Sequence, residues 1–489
     1  MKIDLVFLSW HKLSPLAKTF WSVVLGYGVL LIIMAVRHLL ASRKPKKRVA
    51  QLGSLTWKRN QFCRGWLITG DTGSGKTSSG INQLAHQVFQ NEKKWGGLCI
   101  DEKGVYWETL SAMAHHYSRS GDLIHLQIRT DDTAWTPPHR FNLTGDRTIP
   151  YSTYAKFVVD TATSLGQGGD KGFFKSQAQT HITAALELLD ELRRPVTLQS
   201  AYALLTNKAK LEEELENLAA FDLQTPRRQE LHAHFTNRFI NQPGEQLGGV
   251  RETIGNYLQY FLTPEVAEIF CTPESTFDFS AIDAGKIILV TMPQKFQTER
   301  RYINTFLKLL FYSHALRRFD KPKADRVKDN LLILWADEAQ RFMTASEDGT
   351  SDYNCVDVIR EAGATIVAAA QSTTSLIPPL GSDKAKVLTL NLRNRMIFRS
   401  ADEADAVQAA DFLGKKTVVK RSWGSSAGKR SVNYSEAEEH KIKPHKLRNL
   451  RDHECVLVHC EKGFQRLTMP PLDADGKIAE WFPLWRQLV

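Results

Sequence analysis

The stretch Trp66–Thr77 restricts this chain more than any other; it reads WLITGDTGSGKT. A short apolar strand, Trp66–Thr69, runs into Gly70, Asp71, Thr72, Gly73, Ser74, Gly75, Lys76 and Thr77, and a helical pattern follows. This is GxxxxGK[ST] with a strand before it and a helix after it, the setting in which such a loop holds phosphate. The glycines let backbone N–H groups turn inward, and the helix N-terminus adds its partial positive charge. Lys76 is expected to reach the β- and γ-phosphates, and the Thr77 hydroxyl to ligate Mg2+. Gly70 through Thr77 are therefore the expected contacts of a nucleotide, with ATP and Mg2+ as ligands. The fold is confined to the α/β class.

A phosphate loop alone leaves the chemistry open, so a second carboxylate matters. Residues 331–342 read LLILWADEAQRF, six apolar-type residues ending in Asp337 and Glu338. A continuous apolar run of this length suits a strand buried on both faces. Acids at its carboxyl end stand where α/β sheets bind ligands. Asp337 is expected to hold Mg2+ and Glu338 to polarise an attacking water, as in ATPases that hydrolyse rather than transfer phosphate. Thr365–Ala370 is another buried run, ending in Gln371. That side chain either senses a γ-phosphate and orients water or is a strand-end amide. Arg360, just upstream, is either a solvated arginine or, in a ring, one that reaches a neighbour's nucleotide.

Apolar runs recur at 97–101, 123–128, 286–292, 331–336, 364–370 and 395–399. Helical segments separate several of them, which predicts a mainly parallel central sheet. Between about 150 and 262 apolar residues recur at helical spacing with no strand signal. The expected organisation is an α/β nucleotide-binding domain made of 49–150 and 263–489, interrupted by an all-α insertion over 151–262. A length of 489 residues suits two or three such units.

The formal charge of +11 is unevenly placed: residues 1–50 hold nine Lys/Arg against Asp4 alone, leaving a net of only +3 for the rest. Thr19–Val36 is 18 residues without a charge, near the lower limit for spanning a bilayer. Arg37, Arg43, Lys44, Lys46, Lys47 and Arg48 follow, a basic stretch of the kind that stays cytoplasmic. Residues 1–48 are thus expected to form a single-pass anchor, span about 19–36, in an inner (plasma) membrane, with the bulk of the chain in the cytoplasm. The six cysteines show no CxxC pair, which fits a reduced compartment. His453, Cys455, His459 and Cys460 read as ordinary residues of a strand rather than metal ligands. Residues 412–435 hold six Lys/Arg, no acid and Trp423. They are either a basic hairpin for single-stranded nucleic acid or a solvated loop. No helix-turn-helix or zinc-finger pattern occurs, so sequence-specific reading is not indicated.

The order of motifs resembles the TraG/TraD-type coupling proteins of conjugative type IV secretion, relatives of FtsK and HerA. Beyond the two nucleotide motifs, the resemblance rests on Asp101-Glu102-Lys103-Gly104, Phe141-Asn142-Leu143, the Phe174–Leu189 helix and Arg360-Glu361-Ala362-Gly363 leading to Gln371. It continues with Asn391-Leu392-Arg393, the Arg395–Arg399 strand, Phe412-Leu413-Gly414 and Lys443-Pro444 through Leu447, spanning nearly all of 50–470. The resemblance implies a RecA-like P-loop ATPase core and a homo-hexameric inner-membrane ring. Such a ring passes a relaxase–DNA complex into a secretion channel, with relaxosome and secretion components as partners. It implies that the arginine eleven residues before Gln371, Arg360, acts in trans, and that the all-α insertion lies at the cytoplasmic mouth of the ring. Two features depart from the family: one span instead of two, and no long acidic C-terminal tail. The alternatives are an FtsK/HerA-type DNA motor outside conjugation and an ATP-switched receptor that recruits protein substrates.

Overall fold

The computed structural model describes residues 48–482, apart from 130–134, 167–171, 221–224, 347–348 and 427–428, and scattered helical positions between Ser14 and Met34. Most of the 19–36 stretch lies outside the described residues, and among the described residues no helix is long and apolar enough to cross a membrane. Met1–Arg48 forms one unit and Val49–Val489 a second, compact one.

A small hairpin, β1 (Arg48–Leu52) and β2 (Leu55–Lys58), comes first. Seven strands then align in parallel: β3 (Trp66–Thr69), β4 (Gly96–Asp101), β5 (Leu123–Gln127), β6 (Ile287–Thr291), β7 (Leu332–Asp337), β8 (Ala364–Ala370) and β9 (Asn394–Ile397). A separate ribbon, β10 (Lys415–Ser426) with β11 (Lys429–His440), comes next in the chain. β12 (Glu454–His459) and β13 (Gly463–Thr468) complete the large sheet as an antiparallel edge, giving nine strands in the order β13-β12-β9-β3-β8-β7-β4-β6-β5. The apolar runs read from the sequence correspond to β4 through β9, each shifted by no more than two residues.

Side chains alternate across a strand, and here both faces are covered. Leu67, Leu332, Leu334, Ala336, Ile366 and Ala368 join one apolar cluster. Trp66, Ile68, Ile333, Trp335, Val367 and Ala369 join a second on the opposite face. Burying each large apolar side chain contributes about 1.5–3 kcal/mol. The second cluster is aromatic-rich: Trp57 lies 5.0 Å from Trp66, and Trp95 lies 6.0 Å from Trp335, ring centre to ring centre. Close strand packing requires Gly97, where a Cβ would stand 1.9 Å from the Ile333 carbonyl oxygen.

From Tyr151 to Phe270 the described residues are helical or in connecting loops, with no strand. The helices Tyr151–Ser164, Gly172–Glu191, Leu198–Thr206 and Gly244–Leu258 share the first cluster with the sheet and with the long helix Gln297–Arg317. Apolar packing is thus continuous from this helical segment to the strands.

Candidate nucleotide site

β8 lies between β3 and β7, so the carboxyl ends of these three strands stand side by side. The Gly70 amide donates to the Gln371 carbonyl (3.2 Å) and the Asp71 amide to the Arg399 carbonyl (2.8 Å), which hangs the loop from the ends of β8 and β9. Gly73 (φ 82°) and Gly75 (φ 104°) take left-handed conformations that favour glycine. A Cβ on Gly73 would meet nothing within 4 Å, whereas one on Gly75 would stand 2.7 Å from His453 Nδ1. The loop is therefore open on one side and backed on the other. The following helix begins as a π-turn, Lys76–Ile81, a local widening often found at functional positions.

Lys76 is buried and donates to the carbonyls of Gly70 (2.8 Å) and Asp71 (2.9 Å), closing the loop on itself. Burial pulls its ammonium below the ordinary range, against the attraction of Glu338, Asp337 and Asp71 and with added repulsion from Lys103. The Thr77 hydroxyl donates to Asp337 Oδ2 at 2.9 Å, joining two segments 260 residues apart. Burial raises Asp337 to about 6; Asp101 and Glu338 push it the same way, while the Thr77 hydrogen bond opposes. A divalent cation beside that carboxylate favours its charged form. The converging hydroxyl and acid, together with the open glycine loop, fit Mg2+ and a phosphate chain.

Glu338 has φ +51°, a left-handed backbone that costs a non-glycine residue energy. Gln340 donates to Glu338 Oε2 at 2.7 Å, and Lys103 Nζ lies 3.9 Å from Oε1. Gln371 sits exposed at the end of β8. Arg360 is elsewhere: it precedes β8, on the turn Ile359–Ala362, so the strand's seven residues separate it from Gln371. At ~3.3 Å per residue that is about 20 Å. There it shares a cleft of about 610 Å³ with Arg59, Arg64, Lys323 and Arg326.

Three further contributors were not expected as site residues from the sequence. Asp101 aligns with Asp337 across β4 and β7, and its carboxylate accepts the amides of Gly104, Val105 and Tyr106 at 2.6–2.9 Å. Arg399 donates to Asp71 (2.8 Å) and Asp452 (2.8 Å), clamping the glycine loop from the end of β9. His453 donates its amide to the Ser74 carbonyl, and its Nδ1 lies 2.7 Å from Ser79 Oγ. Asp101 ends β4 beside β7, Arg399 lies beyond β9 beside β3, and His453 stands just before β12, one strand further out, so strand position is the signal that could have found them. His459 instead bonds the Thr56 carbonyl, and among the described residues no group of three or more His, Cys, Asp or Glu is placed to hold a metal.

A parallel sheet covered on both faces, with a glycine loop, a buried lysine and a Thr–Asp pair at one edge, defines a P-loop nucleotide-binding α/β protein. Residues 48–470 match the family model of the type IV secretion-system coupling protein DNA-binding domain, and the chain belongs to that family. Among solved structures it is similar to the bacterial conjugative coupling protein TrwBdeltaN70, unbound monoclinic form, with 14% identity, 90% of this chain and 91% of that chain covered, and a TM-score of 0.61. The plasmid coupling protein TrwB with the ATP analogue ADPNP matches at 15% identity over 90% and 92% of the two chains, TM-score 0.61. The same protein with ADP and Mg2+ matches at 14% identity over 90% and 92%, TM-score 0.59. At such identities the likeness is one of fold. A comparison with curated proteins finds no match.

Proposed function

We propose that this chain is a membrane-anchored, hexameric ATPase that couples ATP hydrolysis to movement of DNA, as a relaxase–DNA complex, into a type IV secretion channel. The observation that carries the reading is the 2.9 Å contact between Thr77 and Asp337, because it joins the phosphate loop to the acids of β7. Thr77 and Asp337 hold Mg2+, which supplies positive charge to phosphate oxygens when bound. Lys76 leaves the Gly70 and Asp71 carbonyls for phosphate, and the loop amides from Thr72 to Thr77 line the phosphate chain, those of Gly70 and Asp71 being held by Gln371 and Arg399. Glu338 holds the attacking water and takes up its proton, and Gln371 orients it. Arg360 lies at the opposite end of β8 from the nucleotide site of its own chain, which supports a role toward the neighbour in a ring.

The uncharged stretch 19–36 and its basic flank support the inner-membrane anchor, with 49–150 and 263–489 as the RecA-like domain. The helical segment 151–262 is read as an insertion domain at the cytoplasmic mouth of the ring, facing the relaxosome. The test is ATP turnover by the full-length protein in detergent, with and without single- and double-stranded DNA. DNA-stimulated turnover is expected. Turnover indifferent to both forms of DNA would refute a DNA motor and favour an ATP-switched receptor.

A further inference from the structure

The ribbon β10–β11 forms a two-stranded sheet of its own, apart from the nine-stranded one. Each strand is 12 residues long, an arm of about 40 Å at ~3.3 Å per residue. Pairing runs from Lys415↔His440 to Ser426↔Lys429 and sets Val419 opposite Glu436, Arg421 opposite Tyr434 and Trp423 opposite Val432. Alternation puts these six side chains on one face. On it Val419 is 58% exposed, Trp423 65% and Tyr434 67%. The Arg421 guanidinium lies 4.0 Å from the Trp423 ring centre and 6.0 Å from that of Tyr434, a cation between two aromatic rings.

An isolated two-stranded ribbon is marginal, and a row of exposed rings on one costs stability unless a partner covers it. Charge identifies that partner. Between Val419 and Ser435 the sequence has Lys420, Arg421, Lys429 and Arg430 and no acid, whereas Glu436, Glu438 and Glu439 belong to the root half of the returning strand, Glu436 and Glu438 on the same face as the rings. There Glu439 pairs with Lys420 and Lys443, each at 3.0 Å. The outer half of the ribbon, cationic in sequence and bearing the accessible rings, matches a polyanion with free π-faces. Single-stranded nucleic acid is such a polymer, whereas a duplex hides its base faces.

We propose that this face of the ribbon is a docking strip for single-stranded nucleic acid. Bases stack on Trp423 and Tyr434 in the outer half of the ribbon, and Arg421 holds phosphate. The inference rests on the DNA-motor reading and names where on this chain the strand is gripped.

The test measures anisotropy of a fluorescein-labelled oligothymidylate on the full-length protein across a salt series. Trp423→Ala/Tyr434→Ala is expected to weaken binding about ten-fold or more, with an unchanged slope of log K against log salt. Trp423→Phe should retain most of the affinity. Arg421→Gln should reduce the magnitude of the slope by about 0.7, the value for one phosphate contact on a single strand. ADP binding that stays normal shows that each variant is folded. Wild-type protein that does not bind the oligonucleotide defeats the DNA-motor reading itself. Wild-type binding that the double variant matches overturns the docking strip alone. It is equally overturned if the double variant keeps its affinity but sediments as a smaller species, since the face then joins copies of this chain.

Discussion

Replacing Asp337 by Asn tests the electrostatics of the site without changing its shape. The two carboxylate oxygens accept from Thr77 Oγ1 (2.9 Å) and from the Glu338 amide (3.0 Å). Asn satisfies both positions, its oxygen accepting the Glu338 amide and its NH2 donating to the Thr77 hydroxyl, which can turn to accept. What the variant removes is charge. Asp337 rises from 3.8 to about 6 in the folded protein, and at 1.36 kcal/mol per unit this is about 3 kcal/mol of destabilisation by the ionised form. The sign follows from the raised value. Between 3.8 and about 6 the folded protein keeps a proton that the unfolded chain has released, so stability falls as pH rises through that window and levels off above it. Without nucleotide and metal, Asp337→Asn should therefore exceed wild type by up to about 3 kcal/mol at pH 8 and by little at pH 4. ATP turnover should be lost. Urea unfolding at the two pH values, with EDTA present, reads the difference. A variant less stable than wild type at pH 8, or a gap that is the same at both pH values, would refute the reasoning.

Lys76→Ala and Glu338→Gln should each lower turnover, Glu338→Gln by about 10²–10⁴-fold, while circular dichroism stays native; wild-type-like turnover in either contradicts the site assignment. Arg360→Ala should be inactive in assembled rings and partly restored when mixed with Lys76→Ala subunits, and failure to restore activity at any mixing ratio argues against a role in trans. Lys308 and Asp352 form an ion pair with both side chains fully buried, tying the helix Gln297–Arg317 to the segment after β7. Removing one partner leaves the other charge buried, so Lys308→Met should cost about 3–5 kcal/mol in urea unfolding, and adding Asp352→Leu should recover part of it. A loss below about 1 kcal/mol for the single variant would show that the pair is not isolated from water.

The phosphate loop was legible because everything it needs is contiguous: strand, glycines, lysine, threonine and helix lie within one short stretch of chain. The strands β4, β6, β7 and β8 were legible for a different reason. A strand covered on both faces must be apolar throughout, and runs such as KIILVTM and LLILWA carry that requirement in their composition. Helical spacing likewise marked 151–262, since an amphipathic period is a local property.

Which strands become neighbours is not local. Apolar periodicity says that a face is buried and nothing about what covers it. The insertion of β8 between β3 and β7, which brings Gln371 to the loop and leaves Arg360 at the far end, was decided only by packing. The same holds for the Arg399–Asp71 clamp, whose partners lie 328 residues apart, and for His453, which backs Gly75 and meets Ser79 across 374. An arginine or histidine at the end of one strand looks like any surface residue until the sheet closes and sets it against the loop. The sequence determined the chemistry that the chain carries. The tertiary structure decided which of its charged groups face that chemistry, because long-range pairing depends on how whole faces fit together.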